Sequence, residues 1–172
     1  HGRNMKIAMS GYGYIVMIYG LRPLSRGRIG LHSADPLAAP LIDPNYMADP
    51  ADVEQLIRGV RLVRNILSQR ALYIHQDVEI SPGLEIQDDA SLTEWVRRNG
   101  ESAYHPVGTC KMGIDHMAVV DPRLRVRGLQ SLRVVDASIM PTLVGGNTNQ
   151  PATMIGEKGA DMILEDAAVA GV

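Results

Sequence analysis

Three stretches of the 172-residue chain carry residue types that can do chemistry. The first is Tyr104-His105-Pro106-Val107-Gly108-Thr109-Cys110-Lys111-Met112-Gly113. An imidazole exchanges a proton near neutral pH, which makes His105 a candidate proton acceptor. The proline after it biases His105 to extended backbone, so the ring stands on a stiff stretch. Gly108 and Gly113 permit backbone conformations or close approaches that a Cβ would block. Residue types alone also allow a loop histidine satisfied by a backbone hydrogen bond. The second stretch, Leu132 to Pro141, is a short apolar run into Asp136, then Ala137 and Ser138. Small residues there would let backbone N–H groups approach a ligand, although an Asx turn closing a strand is the simpler reading. The third is Gly145-Gly146-Asn147-Thr148-Asn149-Gln150-Pro151-Ala152-Thr153-Met154. Amide side chains both donate and accept, and a helix start presents free N–H groups. Composition alone favours a capped helix start.

The elements that must hold these stretches follow from periodicity and punctuation. Tyr14 to Leu21 is β-branched and aromatic and predicts a strand. Pro23 to Gly27 reads as a turn, and the alternation from Arg28 to His32 predicts the second strand of a hairpin. Asp35 to Pro50 holds four prolines and reads as loop. Asp49-Pro50 is a good helix start, a capping Asp before a Pro at the first helical position. Val53, Leu56, Ile57, Val60, Val63 and Leu67 then recur on one helical face, which predicts a helix over 50–69. Arg58, Arg61 and Arg64 fall mostly elsewhere and read as solvated. Val78 to Ile86 is loop or short strand. Ser91-Leu92-Thr93-Glu94 fits a capping box and predicts a helix over 91–98 with Leu92, Trp95 and Val96 inward, stopping at Asn99-Gly100. Short strands are predicted at Val126 and over 132–135, and a helix over 153–164. Asp166 to Val172 reads as a fraying tail.

Composition removes several classes. With a formal net charge of −2, 45% hydrophobic and 21% charged residues, the chain can build a core and has no basic footprint for nucleic acid. No apolar run approaches the ~20 residues of a membrane span. The single cysteine, Cys110, excludes an internal disulfide framework and a Cys-rich zinc site, and suits a reducing compartment. His32, His75 and His116 do not cluster with carboxylates at ligand spacing, so no metal site is predicted. A Cys110/His105 nucleophile pair lacks an orienting third group. The opening residues, His1 to Gly11, have no signal-peptide pattern and no initiator Met. They suggest a piece of a longer protein.

In this order, the three stretches resemble the C-terminal part of the glucose–methanol–choline (GMC) oxidoreductases. The motifs are Tyr-His-Pro-x-Gly-Thr-Cys-Lys-Met-Gly, Leu-Arg-Val-Val-Asp-Ala-Ser-Ile-Met-Pro and Gly-Asn-Thr-Asn-x-Pro-x-x-Met-Ile-Gly-Glu-Lys. Leu21-Arg22-Pro23-x-Ser25-Arg26-Gly27 and Asp43-Pro44-Asn45-Tyr46 strengthen the likeness, which is greatest to the choline and alcohol dehydrogenase branch. The resemblance implies that His105 is the catalytic histidine accepting the substrate hydroxyl proton. It implies that Asn147 is the second active-site residue, facing the same substrate oxygen. Asp136 and Ala137 match the segment whose backbone approaches the FAD diphosphate. Thr148, Asn149 and Pro151 match the segment under the flavin's pyrimidine edge. The family's Gly-x-Gly-x-x-Gly fingerprint has no counterpart here: Gly11-Tyr12-Gly13 is not followed by the third glycine.

The implied fold is α+β, an antiparallel sheet with packed helices, plus a C-terminal segment belonging to an FAD-binding domain whose N-terminal half is absent. Residues 1–130 would be the substrate-domain portion and 131–172 the FAD-domain segment. The implied activity is FAD-dependent oxidation of a primary or acyclic alcohol to the aldehyde, as part of a longer enzyme. The weighed rivals are a non-catalytic binding module and an oxygen-using alcohol oxidase. The implied partners are an alcohol substrate and an electron acceptor such as a quinone, with no nucleic acid. The expected location is cytoplasmic, with peripheral membrane association of the full-length enzyme.

Overall fold

The computed structural model describes residues 13–75 and 77–170. The stretch 1–11 and the last two positions of the expected frayed tail lie outside the described residues. The chain divides into two compact units. One comprises Tyr46–Ala103 with the described residues up to Gly20. The other comprises Leu21–Asn45 with the described residues from Tyr104 onward. The sheet has two strands, β1 (Arg28–Gly30) and β2 (Leu41–Asp43). The helices are α1 (Pro50–Leu67), α2 (Arg70–Tyr73), α3 (Asp89–Asn99) and α4 (Asn149–Ala170), with a 3-10 turn at Ala137–Ile139. Among the described residues, no helix is long and apolar enough to cross a membrane.

The first unit is a helix pair. Asp49 caps α1 by accepting from the Ala51 N–H at 2.9 Å, and Pro50 occupies the first helical position. Val53, Ile57 and Val60 of α1 pack against Leu92 and Val96 of α3, and Leu92 is fully buried. Burying one such side chain contributes about 1.5–3 kcal/mol. Leu56 and Trp95, both predicted inward, are half-buried at the margin of this core. α3 starts earlier than the capping-box pattern implied. Asp88 is the cap, accepting from the Ala90 and Ser91 N–H groups, and the Ser91 hydroxyl donates back to Asp88 at 2.7 Å. An ionised carboxylate two positions ahead of Ala90 is the stronger acceptor, so it displaces Ser91 from the cap role.

Two further expectations in this unit are corrected. Arg64 is not solvated like Arg58 and Arg61. It pairs with Glu79 at 2.7 Å and donates to the Ile86 and Gly83 carbonyls, pinning the 78–86 loop to α1. The residues Tyr14 to Gly20 form no strand. Ile18 packs directly on α1 at Gly59, where an added Cβ would lie 2.4 Å from Ile18 Cγ2. The β-branched composition reflects this fit to a half-buried surface, not membership of a ladder.

In the second unit β1 pairs antiparallel with β2 instead of with the 14–21 stretch, in the register Arg28↔Asp43, Ile29↔Ile42 and Gly30↔Leu41. β2 fits in the proline-free triplet between Pro40 and Pro44. The approach is closest at Gly27, where a Cβ would sit 2.3 Å from the Asp43 carbonyl oxygen. Asn45 then donates its side-chain amide to the Arg26 carbonyl at 3.0 Å. The strands predicted at Val126 and 132–135 are reduced to the single bridges Val120↔Val126 and Arg125↔Arg133. Leu124, Gly128 and Ser131 have φ of 64°, 77° and 57°, so the chain turns before either ladder can extend.

The core of this unit is Val120, Leu124, Ile139, Met140 and Ile155. α4 is longer than predicted at both ends. Pro151 fits its first turn, where no intrahelical donor is required. At the other end Asp166 is bound by Arg133 and Arg123, so the segment after Leu164 is tied down and helical. Gly159 lets α4 close on the second motif, since a Cβ there would meet Val135 Cγ1 at 2.3 Å.

Candidate functional site

All three motif stretches lie in the second unit. The first is bound to the second by main-chain hydrogen bonds: Cys110 N–H donates to the Ser138 carbonyl at 3.0 Å, and Met112 N–H to Ile139 at 2.7 Å. Gly108 makes the approach possible. Its φ is +88°, and a Cβ would stand 3.1 Å from the Met140 carbonyl oxygen. The glycine is therefore required both by backbone conformation and by space. Past this anchor Lys111 pairs with Asp115 at 2.9 Å. The Lys111 ammonium holds the Asp115 carboxyl below its ordinary value of 3.8. That pair clips the turn at which the loop leaves the site. Cys110 is a free, half-buried thiol.

The third stretch reaches the first through side chains. His105 Nδ1 lies 2.9 Å from Thr148 Oγ1, across 43 positions of sequence. His105 is half-buried and Thr148 is buried. Asn147, adjacent to Thr148, is exposed at the mouth of α4, and Asn149 is the first residue of that helix. Asn147 is thus two residues ahead of α4, not six ahead of a helix at Thr153. Gly145 and Gly146 leave the loop before it uncrowded on one side. Arg22 Nη2 lies 3.3 Å from where a Cβ on Gly145 would be.

The second stretch supplies backbone. Asp136 is exposed and caps the 3-10 turn, accepting from Ser138 N–H at 2.7 Å. This is the Asx-type turn that residue types favoured, and it leaves Ala137 with a small side chain at the start of the turn. The structure therefore brings His105, Thr148 and the neighbouring Asn147 into one neighbourhood. Asp136 and Ala137 join it through the main-chain pairing of residues 110–112 with 138–139. Among the described residues of this unit, surface grooves of about 600 and 180 Å³ form that are lined by neither His105 nor Asn147. Among the described residues, no group of three or more His, Cys, Asp or Glu could hold a metal ion.

The roles of four residues were not legible in the sequence. The Ser138 and Ile139 carbonyls hold the histidine loop, and main-chain acceptors leave no trace in residue type. Arg22 lies beside Gly145 with no spacing signal to announce it. The Thr148 hydroxyl, grouped above with the cofactor segment, is engaged by His105.

The family model described as GMC oxidoreductase, for its C-terminal part, matches residues 23–156. An alcohol dehydrogenase [acceptor] of Pseudomonas putida is 50% identical over 172 residues, 100% of this chain and 31% of that protein. An oxygen-dependent choline dehydrogenase of Klebsiella pneumoniae is 49% identical over 156 residues, 91% of this chain and 28% of that protein. Among solved structures, an FAD-dependent oxidoreductase from Chaetomium thermophilum superposes with a TM-score of 0.80 at 31% identity, covering 86% of this chain and 26% of that one. The chain spans about a third of the length of the curated relatives it matches.

Proposed function

Since this chain belongs to the GMC oxidoreductase family, we propose that the protein it represents oxidises a primary or acyclic alcohol to the aldehyde with FAD as cofactor. The observation that carries this is the contact of His105 Nδ1 with Thr148 Oγ1 at 2.9 Å. It joins the one motif that offers a proton acceptor to the one that offers a neutral amide. The relatives named above support the substrate class and an electron acceptor.

Alcohol oxidation removes a proton from oxygen and a hydride from carbon, and a C=O bond forms as the two leave. His105 takes the hydroxyl proton, as a neutral imidazole of suitable intrinsic basicity can. Asn147 donates an amide N–H to the oxygen as negative charge develops there, without competing as a base. Half-burial of His105 keeps most of the ring out of water, which strengthens both interactions at the substrate oxygen.

FAD, when bound, supplies the acceptor for the carbinol hydride. The donor set here fits that group. The N–H groups of Asn149 and Gln150 open the N-terminus of α4, and the small, half-buried Ala137 begins the 3-10 turn. These elements, with Asp136 orienting the turn and Pro151 shaping the first turn of α4, would hold it. In this reading residues 131–172 are the segment that completes an FAD domain.

The test is anaerobic mixing of the full-length protein with a panel of alcohols, following flavin absorbance. A yellow protein whose flavin is bleached by primary alcohols is expected. A protein that carries no flavin, or flavin that no alcohol reduces, overturns the proposal.

A further inference from the structure

We propose that Thr148 is the positioning residue of this site: its buried hydroxyl accepts from His105 Nδ1–H, which leaves Nε2 as the nitrogen that takes the substrate proton. The inference rests on reading His105 as the proton acceptor and adds which atom acts and what fixes it.

A neutral imidazole has one N–H and one lone pair, and the hydrogen bond made by one ring nitrogen decides the role of the other. Among the described residues, the His105 ring hydrogen-bonds to the side chain of Thr148, with Nδ1 2.9 Å from Oγ1. A hydroxyl can fill either role. If it donates to Nδ1, the proton sits on Nε2 and the ring faces substrate as a donor. If it accepts, Nε2 faces substrate with its lone pair. Only the second arrangement supports proton abstraction by the outer nitrogen.

The sequence around Thr148 suits the hydroxyl for this task. Thr148 immediately precedes α4, the position from which a Ser or Thr oxygen ordinarily accepts from the second or third helical N–H. The third helical residue is Pro151, which has no N–H. One of the two usual competitors for the Thr148 oxygen is therefore removed by the proline in the helix's first turn. Thr148 is also buried, with 9% of its surface exposed, so water does not readily substitute for its oxygen at His105. The β-branched side chain has few rotamers, which fixes the oxygen's position at the mouth of α4.

The full-length enzyme tests this by two routes. Nitrogen NMR of the ¹⁵N-histidine-labelled enzyme, with the His105 signals assigned by their loss in His105→Gln, is expected to show the Nδ1-protonated tautomer. Thr148→Val keeps the shape and removes the acceptor. It is expected to slow flavin reduction at saturating alcohol on the order of tenfold or more, the scale on which orienting partners act. The same variant should give a mixed tautomer signal, and its rate is read per bound flavin. Thr148→Ser restores the hydroxyl and should recover the rate to within about threefold of native. An Nε2-protonated His105 in the native enzyme overturns the inference, as does a Thr148→Val enzyme that reduces its flavin at the native rate. If Thr148→Val does not fold, the native tautomer and the Thr148→Ser rate still decide. Failure of the underlying reading looks different: His105→Ala would then reduce flavin as fast as native.

Discussion

The helix pair α1/α3 and the unit that carries His105 each close on five buried apolar residues, but they build the backbone around that core differently. In the first, five buried apolar side chains on two helices form the core, and the polar groups at its edge serve it: Asp49 and Asp88 cap, and Arg64 ties down a loop. In the second, the segment from Tyr104 to Gly146 has single bridges and one short 3-10 turn in place of regular elements. Its hydrogen bonds run between loops, and several of its residues adopt positive φ. Regular elements satisfy their own backbone, whereas this loop-built unit presents main-chain donors and the His105 imidazole in fixed places. The comparison teaches that both units pack an apolar core, but only the second carries loops over that core, and the candidate site lies on them.

The largest effect that could break this comparison is on stability. Leu92→Ala in the full-length enzyme should cost about 2–5 kcal/mol, because Leu92 is fully buried and its removal leaves a cavity. Chemical denaturation at neutral pH measures it. The folded variant should reduce its flavin at the native rate with each alcohol. A changed preference among alcohols would give the helix pair a share in the chemistry.

The site residues should behave in the opposite way. His105→Ala should slow flavin reduction about 10²-fold or more, the usual scale of general base catalysis, with little change in denaturation midpoint. A loss below threefold at neutral pH would remove His105 from the mechanism. Asn147→Ala is expected to cost less, about tenfold to a hundredfold, at the lower end of what one oxyanion donor supplies. Rapid-mixing kinetics ranks the two, and a reversal would make stabilisation of the alkoxide, not proton removal by His105, the larger contribution.

Gly108→Ala tests whether backbone geometry, and not only side-chain identity, makes the site. A Cβ there has to accept φ +88° and an approach of 3.1 Å to the Met140 carbonyl. The strain is about 1–3 kcal/mol. We expect it to appear as slower flavin reduction, since the residue lies three positions past His105, together with a modest loss of stability. A variant as active and as stable as native would show that the 104–113 loop is free to relax.

The same contrast explains what could be read in the sequence. The 3.6-residue recurrence of Val53, Ile57 and Val60, with Asp49-Pro50 ahead of it, gives α1 to within two residues. Periodicity is a local signal, and α1 is a local structure. The strand predicted over 14–21 failed because β-branched residues report a half-buried surface, and Ile18 finds one on a helix. β2 was hidden among prolines, since only three residues separate Pro40 from Pro44. His105 and Asn147 were legible as motif residues. The hydroxyl that His105 meets was not, because a contact across 43 positions exists only once α4 and the histidine loop are folded together. The length of α4 was misjudged for a similar reason: the ion pairs that hold its last turns come from Arg123 and Arg133, far back in the chain.

The smallest expected effect concerns those ion pairs, where the His105 unit does use side-chain contacts for stability. Asp166 accepts from Arg133 and lies 2.7 Å from an Arg123 nitrogen, while Glu165 takes the same guanidinium at 3.1 Å. The hydrogen bond from Arg133, then that from Arg123, holds the Asp166 carboxyl below its ordinary value of 3.8. A carboxyl whose folded value is depressed contributes stability that is present above its unfolded value and lost as pH falls through the folded one. Asp166→Asn should therefore be less stable than native at neutral pH, by less than Leu92→Ala. The gap should close as the medium is taken below about pH 4, where the native carboxylate begins to protonate. Thermal midpoints of the two proteins across that range measure it. A gap that stays constant into acid would mean that the Asp166 charge contributes nothing and that the last turns of α4 are held by packing alone. Even then flavin reduction at neutral pH should match native, because Asp166 anchors the end of α4 away from the mouth at which Thr148 and His105 meet.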